Sequence, residues 1–130
     1  MAGGELAGPL PCCPHYHRAV ELIGKRWTGA ILCVLAGAEG GAGLRFSQIA
    51  AAVPELSDRL LSERMKELEA RGVVARTVVP GPPVRVAYAL TDMGQELRPA
   101  LDALRAWGRR WLADEAERPA VPTASAAGAR

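Results

Sequence analysis

The 130-residue sequence predicts a mainly α-helical fold with one small antiparallel β hairpin. Three observations lead there. Apolar residues recur at three- and four-residue spacing from Pro14 to Leu68 and again beyond Thr91, as in helices that bury one face. Between Val73 and Leu90 the period changes to two, as in paired strands. Apolar residues make up 49% of the chain and aromatic ones only 5%, so the core must come from Leu, Val, Ile and Ala, a mix suited to packed helices.

The length supports one hydrophobic core, and a single domain is expected over residues 12–113. Residues 1–11 and 114–130 are rich in Gly, Ala, Pro or Ser without apolar periodicity, and are expected to be a disordered arm and tail. No run approaches the roughly 20 apolar residues that cross a bilayer, and the start lacks the basic and apolar stretches of a secretory signal. A cytoplasmic protein is therefore expected. Cys12, Cys13 and Cys33 form an odd set with two adjacent members, a poor basis for a disulfide scaffold and consistent with a reducing compartment. The net charge of +2 is too small to establish a nucleic-acid partner, so its distribution must decide.

Each element carries its own signals. Pro14 suits the first turn of a helix and Gly24 ends it, with Val20 and Ile23 as a short apolar stripe. A second helix is expected over about residues 26–36, where Trp27, Ile31, Leu32 and Leu35 share a face. Residues 37–43 are Gly-rich and read as a loop, and residues 44–46 as a short strand. Ser47 is the expected N-cap of a third helix that turns Ile49, Ala50 and Val53 inward and stops at Pro54. Ser57 caps a fourth helix in which Leu61, Met65 and Leu68 fall at i, i+4 and i+7, and Gly72 closes it. Two alternating segments, 73–79 and 84–90, flank the stiff tip Pro80-Gly81-Pro82-Pro83, which should project. Thr91 caps a further helix, which Pro99 either kinks or replaces with a new one. Last, Leu97, Leu101, Leu104 and Trp111 stand at near-heptad spacing with Trp107 beside them.

Only Pro54-Glu55-Leu56 joins the third helix to the fourth, which is the helix-turn-helix pattern, and the hairpin supplies a wing. Cys13-Pro14, Leu22-Ile23-Gly24 with Arg26-Trp27, Arg45-Phe46-Ser47, residues 54–68, Arg76-Thr77, Arg85-Val86 and Tyr88 through Leu90-Thr91 carry a specific resemblance. In their order and spacing the sequence resembles the HxlR family of bacterial regulators, close in architecture to MarR-type proteins, over roughly residues 13–112. It departs from the family at Arg26, where Lys is usual, in the Gly-rich loop, and in having a Cys12-Cys13 pair. The resemblance implies a winged helix-turn-helix transcription regulator, a homodimer that binds a pseudo-palindromic duplex DNA operator. It further implies a repressor released by an oxidant or electrophile at the cysteine segment, or else by a small molecule bound between the terminal helices.

The candidate site follows from helix geometry. With Leu61, Met65 and Leu68 inward, Arg59, Ser62, Glu63 and Lys66 point outward, and Ser57 and Asp58 lie at the helix tip. Arg59 has the fork to read guanine, Ser62 can bond a base or a phosphate, and Glu63 can accept from cytosine or orient Arg59. Alone, that face reads rather as a solvated surface with charge pairs; the wing and the family resemblance reverse that preference toward DNA. Arg76 and Arg85 flank the wing tip, where they could reach phosphate or a neighbouring minor groove, Arg85 being closer to the tip, with solvated strand arginines the alternative; Arg45 with Ser47 stands at the start of the motif.

Cys13 precedes Pro14 at a helix N-terminus, a setting that favours thiolate chemistry, and is the redox-sensing candidate; a tolerated surface thiol is the alternative. Cys33 reads as a core residue. Cys12, Cys13, His15 and His17 are too compact a cluster to wrap a tetrahedral metal, so no metal or cofactor is expected. No Gly-rich phosphate loop, nucleophile elbow or catalytic constellation is found, and no enzyme is expected. The terminal helices are the expected dimer interface, through Leu97, Leu101, Leu104, Trp107 and Trp111, with Val20 and Ile23 from the first helix. A winged-helix protein-interaction module without DNA binding is the alternative function, since fold alone does not decide it.

Overall fold

The computed structural model describes residues 13–38 and 41–116; the expected N-terminal arm, Cys12 and residues 117–130 lie outside them. The described residues fall into two compact units, divided between Glu96 and Leu97. The break falls where Pro99, which cannot continue a preceding helix, opens a new one.

The first unit starts with α1 (Pro14–Ile23), whose N-cap is Cys13 and whose last turn closes with the Gly24 N–H on the Val20 carbonyl. Helix α2 (Thr28–Ala36) begins two residues later than the apolar pattern suggests, because Trp27 stands at φ +75°, a left-handed conformation that no helix interior accepts. It buries Thr28, Ile31, Leu32, Leu35 and Ala36. Strand β1 is only Leu44–Arg45, and Phe46 already belongs to α3 (Phe46–Ala52). The N-cap of α3 is therefore Arg45 and not Ser47: Gln48 at the third helical position reaches back and accepts from the Arg45 N–H at 2.9 Å. This half of a capping box uses the glutamine side chain, which leaves Ser47 inside the first turn.

Helix α4 (Asp58–Ala70) starts as expected, with the Leu60 N–H donated to Ser57 Oγ at 3.1 Å. It ends in a Schellman motif: Val73 N–H reaches the Leu68 carbonyl at 3.0 Å and Gly72 N–H the Glu69 carbonyl at 3.1 Å. Gly72 at φ +81° supplies the left-handed residue this closure needs. Strands β2 (Val74–Val79) and β3 (Arg85–Leu90) pair antiparallel from Val74 with Leu90 to Val79 with Arg85, and β1 adds to the far edge in the order β1-β3-β2. Residues 80–84 at the tip are exposed.

Ile31, Leu32 and Leu35 of α2, Ile49 of α3, Leu61, Met65 and Leu68 of α4, and Val73, Val74 and Leu90 are the buried centre of this unit. Thr91 locks its far end. Its hydroxyl donates to the Gly72 and Val73 carbonyls at 2.5 and 3.1 Å and accepts from Gly94 N–H at 3.2 Å, which starts the short α5 (Asp92–Gln95). Gly94 sits so close to the Val73 carbonyl that any Cβ there would collide with it.

The second unit holds α6 (Arg98–Trp111) and α7 (Ala113–Ala116). The expected disordered tail therefore begins, over residues 114–116, as the short α7. Among the described residues no helix is long and apolar enough to cross a membrane.

Candidate nucleic-acid interface

Helix α3, the turn at Pro54–Leu56 and helix α4 form the helix-turn-helix. Val53 and Leu56 are buried at either side of Pro54, so the turn is anchored from within. The inward stripe of α4 fixes its rotation, and the opposite face is free to carry polar groups. Arg59 stands on this face with a side chain 90% exposed, and its Nε lies 3.5 Å from Glu63 Oε2 one turn on. The two form an i, i+4 pair on the surface of the helix. Ser57 spends its oxygen on the cap, while Asp58 and Lys66 are exposed on α4. Ser62 is half-buried, at the flank of the outward face rather than at its centre.

The wing separates its two arginines. Cross-strand partners point to the same side of a sheet, and Arg85 pairs with Val79 while Arg45 pairs with Ala87, two residues further along the same strand. Arg45 and Arg85 thus share one face. Arg76 pairs with Tyr88 and belongs to the other face, the one whose buried end is Val74 with Leu90. All three are exposed, but they do not form one cluster, a separation the sequence reading did not make. Through Thr91, the wing is bonded directly to the end of α4, so the two elements that present these side chains are held together.

Arg64 is the residue that sequence reasoning missed. Its side chain is only 12% exposed, its Nε donates to the Arg26 carbonyl at 3.0 Å, and its Nη1 stands 3.6 Å from Glu67 Oε1. Glu67 Oε2 in turn takes Lys25 Nζ at 3.0 Å. The flank of α4 beside its buried stripe is thereby tied to the α1–α2 turn at two points. The signal lay in the spacing of Leu60, Arg64, Glu67 and Arg71, a second stripe next to the apolar one.

Cys13 is exposed at the N-cap of α1, where Val20 is exposed and Ile23 half-buried. Of the other expected interface residues, Leu97 is half-buried and Leu101 buried, whereas Leu104, Trp107 and Trp111 are 59%, 55% and 62% exposed. Cys33 is half-buried within α2.

A two-helix motif with a capped, polar-faced second helix and an antiparallel wing locked to its end defines a winged helix-turn-helix transcription regulator, a DNA-binding protein. Residues 22–116 match the HxlR-like helix-turn-helix family, and the chain belongs to it. YvaP of Bacillus subtilis, an uncharacterized HTH-type transcriptional regulator, is 46% identical over 100 residues, covering 77% of this chain and 89% of YvaP. The HTH-type transcriptional regulator YodB of the same organism is 40% identical over 95 residues, 73% of this chain and 81% of YodB. The reduced form of YodB matches with a TM-score of 0.66 at 38% identity, covering 78% of this chain and 95% of YodB. Its quinone-bound form matches with a TM-score of 0.62 at 34% identity over 77% of this chain and all of the other.

Proposed function

We propose that the protein is a cytoplasmic homodimeric repressor that binds a pseudo-palindromic operator and leaves it when Cys13 is modified by an oxidant or an electrophile. The observation that carries this reading is the outward face of α4, with Arg59 exposed and paired with Glu63, beside a wing bonded to the end of the same helix. In this reading Arg59, Glu63 and Lys66, with Ser62 at the edge, enter the major groove and read base edges. Ser57 and Asp58 set the helix tip, and Arg45, Ser47 and Arg85 hold phosphates on one side of the wing, with Arg76 a lesser contact on the other. The protein acts by binding and not by catalysis.

Dimerisation through α6 is supported by the exposure of Leu104, Trp107 and Trp111, which is more apolar surface than a lone helix leaves in water. Two copies on a two-fold axis place two recognition helices about one turn of DNA apart. The signal is supported by two facts: Cys13 is exposed at a helix start, and the related YodB has been solved in reduced and quinone-bound forms. The protein-interaction alternative is not favoured by relatives such as YvaP and YodB, which are named transcriptional regulators.

The test is to select bound fragments from genomic DNA, then measure affinity for the selected site before and after quinone treatment. Native protein should lose affinity on treatment and Cys13→Ser should keep it. Equal responses would remove Cys13 as the sensor, and failure to enrich any sequence would remove operator reading itself.

A further inference from the structure

Helix α1 has two unlike faces. Tyr16, Val20 and Ile23 mark one, and the opposite one, with Arg18, Glu21 and Leu22, opens onto a cleft of about 720 Å³ shared with Lys25 and with Glu67, Ala70 and Arg71 at the end of α4. Both carboxylates there are engaged. Glu67 takes Lys25 at 3.0 Å and Arg64 at 3.6 Å, and Glu21 stands 3.4 Å from His17 Nε2. Arg18 and Arg71, in contrast, have no ion-pair partner among the described residues. Arg71 is not needed to satisfy the end of α4 either, because the Gly72 and Val73 N–H groups already occupy the Glu69 and Leu68 carbonyls. Leu22 and Ala70 add an apolar patch to the cleft wall.

We propose that this cleft binds a small organic anion, its carboxylate or phosphate held between Arg18 and Arg71 and its apolar part resting on Leu22 and Ala70. Planar guanidinium groups suit such oxygens because they offer paired N–H donors. The bound anion competes with Glu67 for Lys25. Glu67 lies on the same helix as Arg59, Glu63 and Lys66, so filling the cleft loosens one of the two ties between that helix and the α1–α2 turn. The cleft is thus an input to the recognition helix separate from Cys13, which sits at the other end of α1.

The experiment is calorimetric titration of the full chain, without DNA, by sodium phosphate and separately by sodium succinate, at ionic strength held constant with sodium chloride. At least one anion should bind saturably, and the better of the two assigns the site to phosphate or carboxylate chemistry. Changing both Arg18→Gln and Arg71→Gln should weaken binding about tenfold or more, while Arg18→Lys with Arg71→Lys retains part of it. Glu67→Gln should tighten binding several-fold by releasing Lys25, and Glu69→Gln, which removes the same charge outside the cleft, should leave it unchanged. Circular dichroism confirms that each variant folds. Absence of saturable binding by both anions, undiminished binding by the double glutamine variant, or equal tightening by the two glutamate variants would each overturn the proposal. Because no DNA enters the measurement, such a failure leaves the reading of α4 as it stands.

Discussion

Helices α4 and α6 carry apolar stripes of similar spacing and treat them in opposite ways. In α4, Leu61, Met65 and Leu68 are no more than 2% exposed, and every strongly exposed side chain on the helix is polar apart from Ala70. In α6 only Leu101 is buried, and Leu104, Trp107 and Trp111 remain open to solvent. Periodicity alone does not separate the two. What differs is the exposure of the stripe: the one in α4 is covered within its own unit, whereas three residues of the one in α6 are open, and on the proposed reading a second copy covers them.

The comparison breaks most visibly if the exposed stripe is made charged. Leu104→Asp with Trp111→Asp should give monomers by sedimentation, with operator affinity reduced about 100-fold or more, since one half-site then binds without its tethered mate. A dimeric double variant would place the interface elsewhere. Within α4 the matching change acts on folding instead: Leu61→Ala, which removes a fully buried side chain, should cost about 2–5 kcal/mol in urea unfolding. Leu104→Ala should change the unfolding free energy of the monomeric unit far less. Arg64→Ala tests the tie at the flank of α4. It removes the Arg64 donor from the exposed Arg26 carbonyl, which water can then reach, and should cost about 0.5–1.5 kcal/mol in the same assay, with Arg64→Lys restoring part of the loss.

How far these features were legible depends on how local their causes are. The Ser57 cap, the i, i+4, i+7 stripe and the Gly72 closure of α4 lie within one helix, and the sequence shows all of them. The cap of α3 was misread because Ser47 is a good cap by type, whereas the decisive side chain is Gln48, which reaches back and moves the boundary to Arg45. The start of α2 depended on Trp27 at positive φ, a conformation that residue type does not announce. The faces of Arg45, Arg76 and Arg85 follow from strand register, which is set by the length of the Pro-rich tip and by the pairing of β1, not by alternation alone. Arg64 depended on a backbone carbonyl 38 residues away. Whether a new helix starts at α6 was open in the sequence because Pro99 is equally consistent with a kink.

The smallest expected effects separate the wing arginines. Arg85→Ala should weaken specific and nonspecific DNA alike and lower the salt slope by roughly one ion per wing, while Arg76→Ala, on the other face of the sheet, should change both less. An anisotropy titration against one nonspecific duplex over a salt series resolves the two, and an Arg76 effect equal to that of Arg85 would show that both faces touch DNA.

The central claim is that α4 reads bases with its outward face. Its most direct test is fluorescence anisotropy of the native protein and Arg59→Ala on the selected operator and on single-base variants of it. Loss of Arg59 should cost about 1–3 kcal/mol on the operator and abolish discrimination at one base position in each half-site, with nonspecific affinity little changed. A uniform loss across all duplexes, with base preference intact, would contradict the account and reduce Arg59 to a phosphate contact.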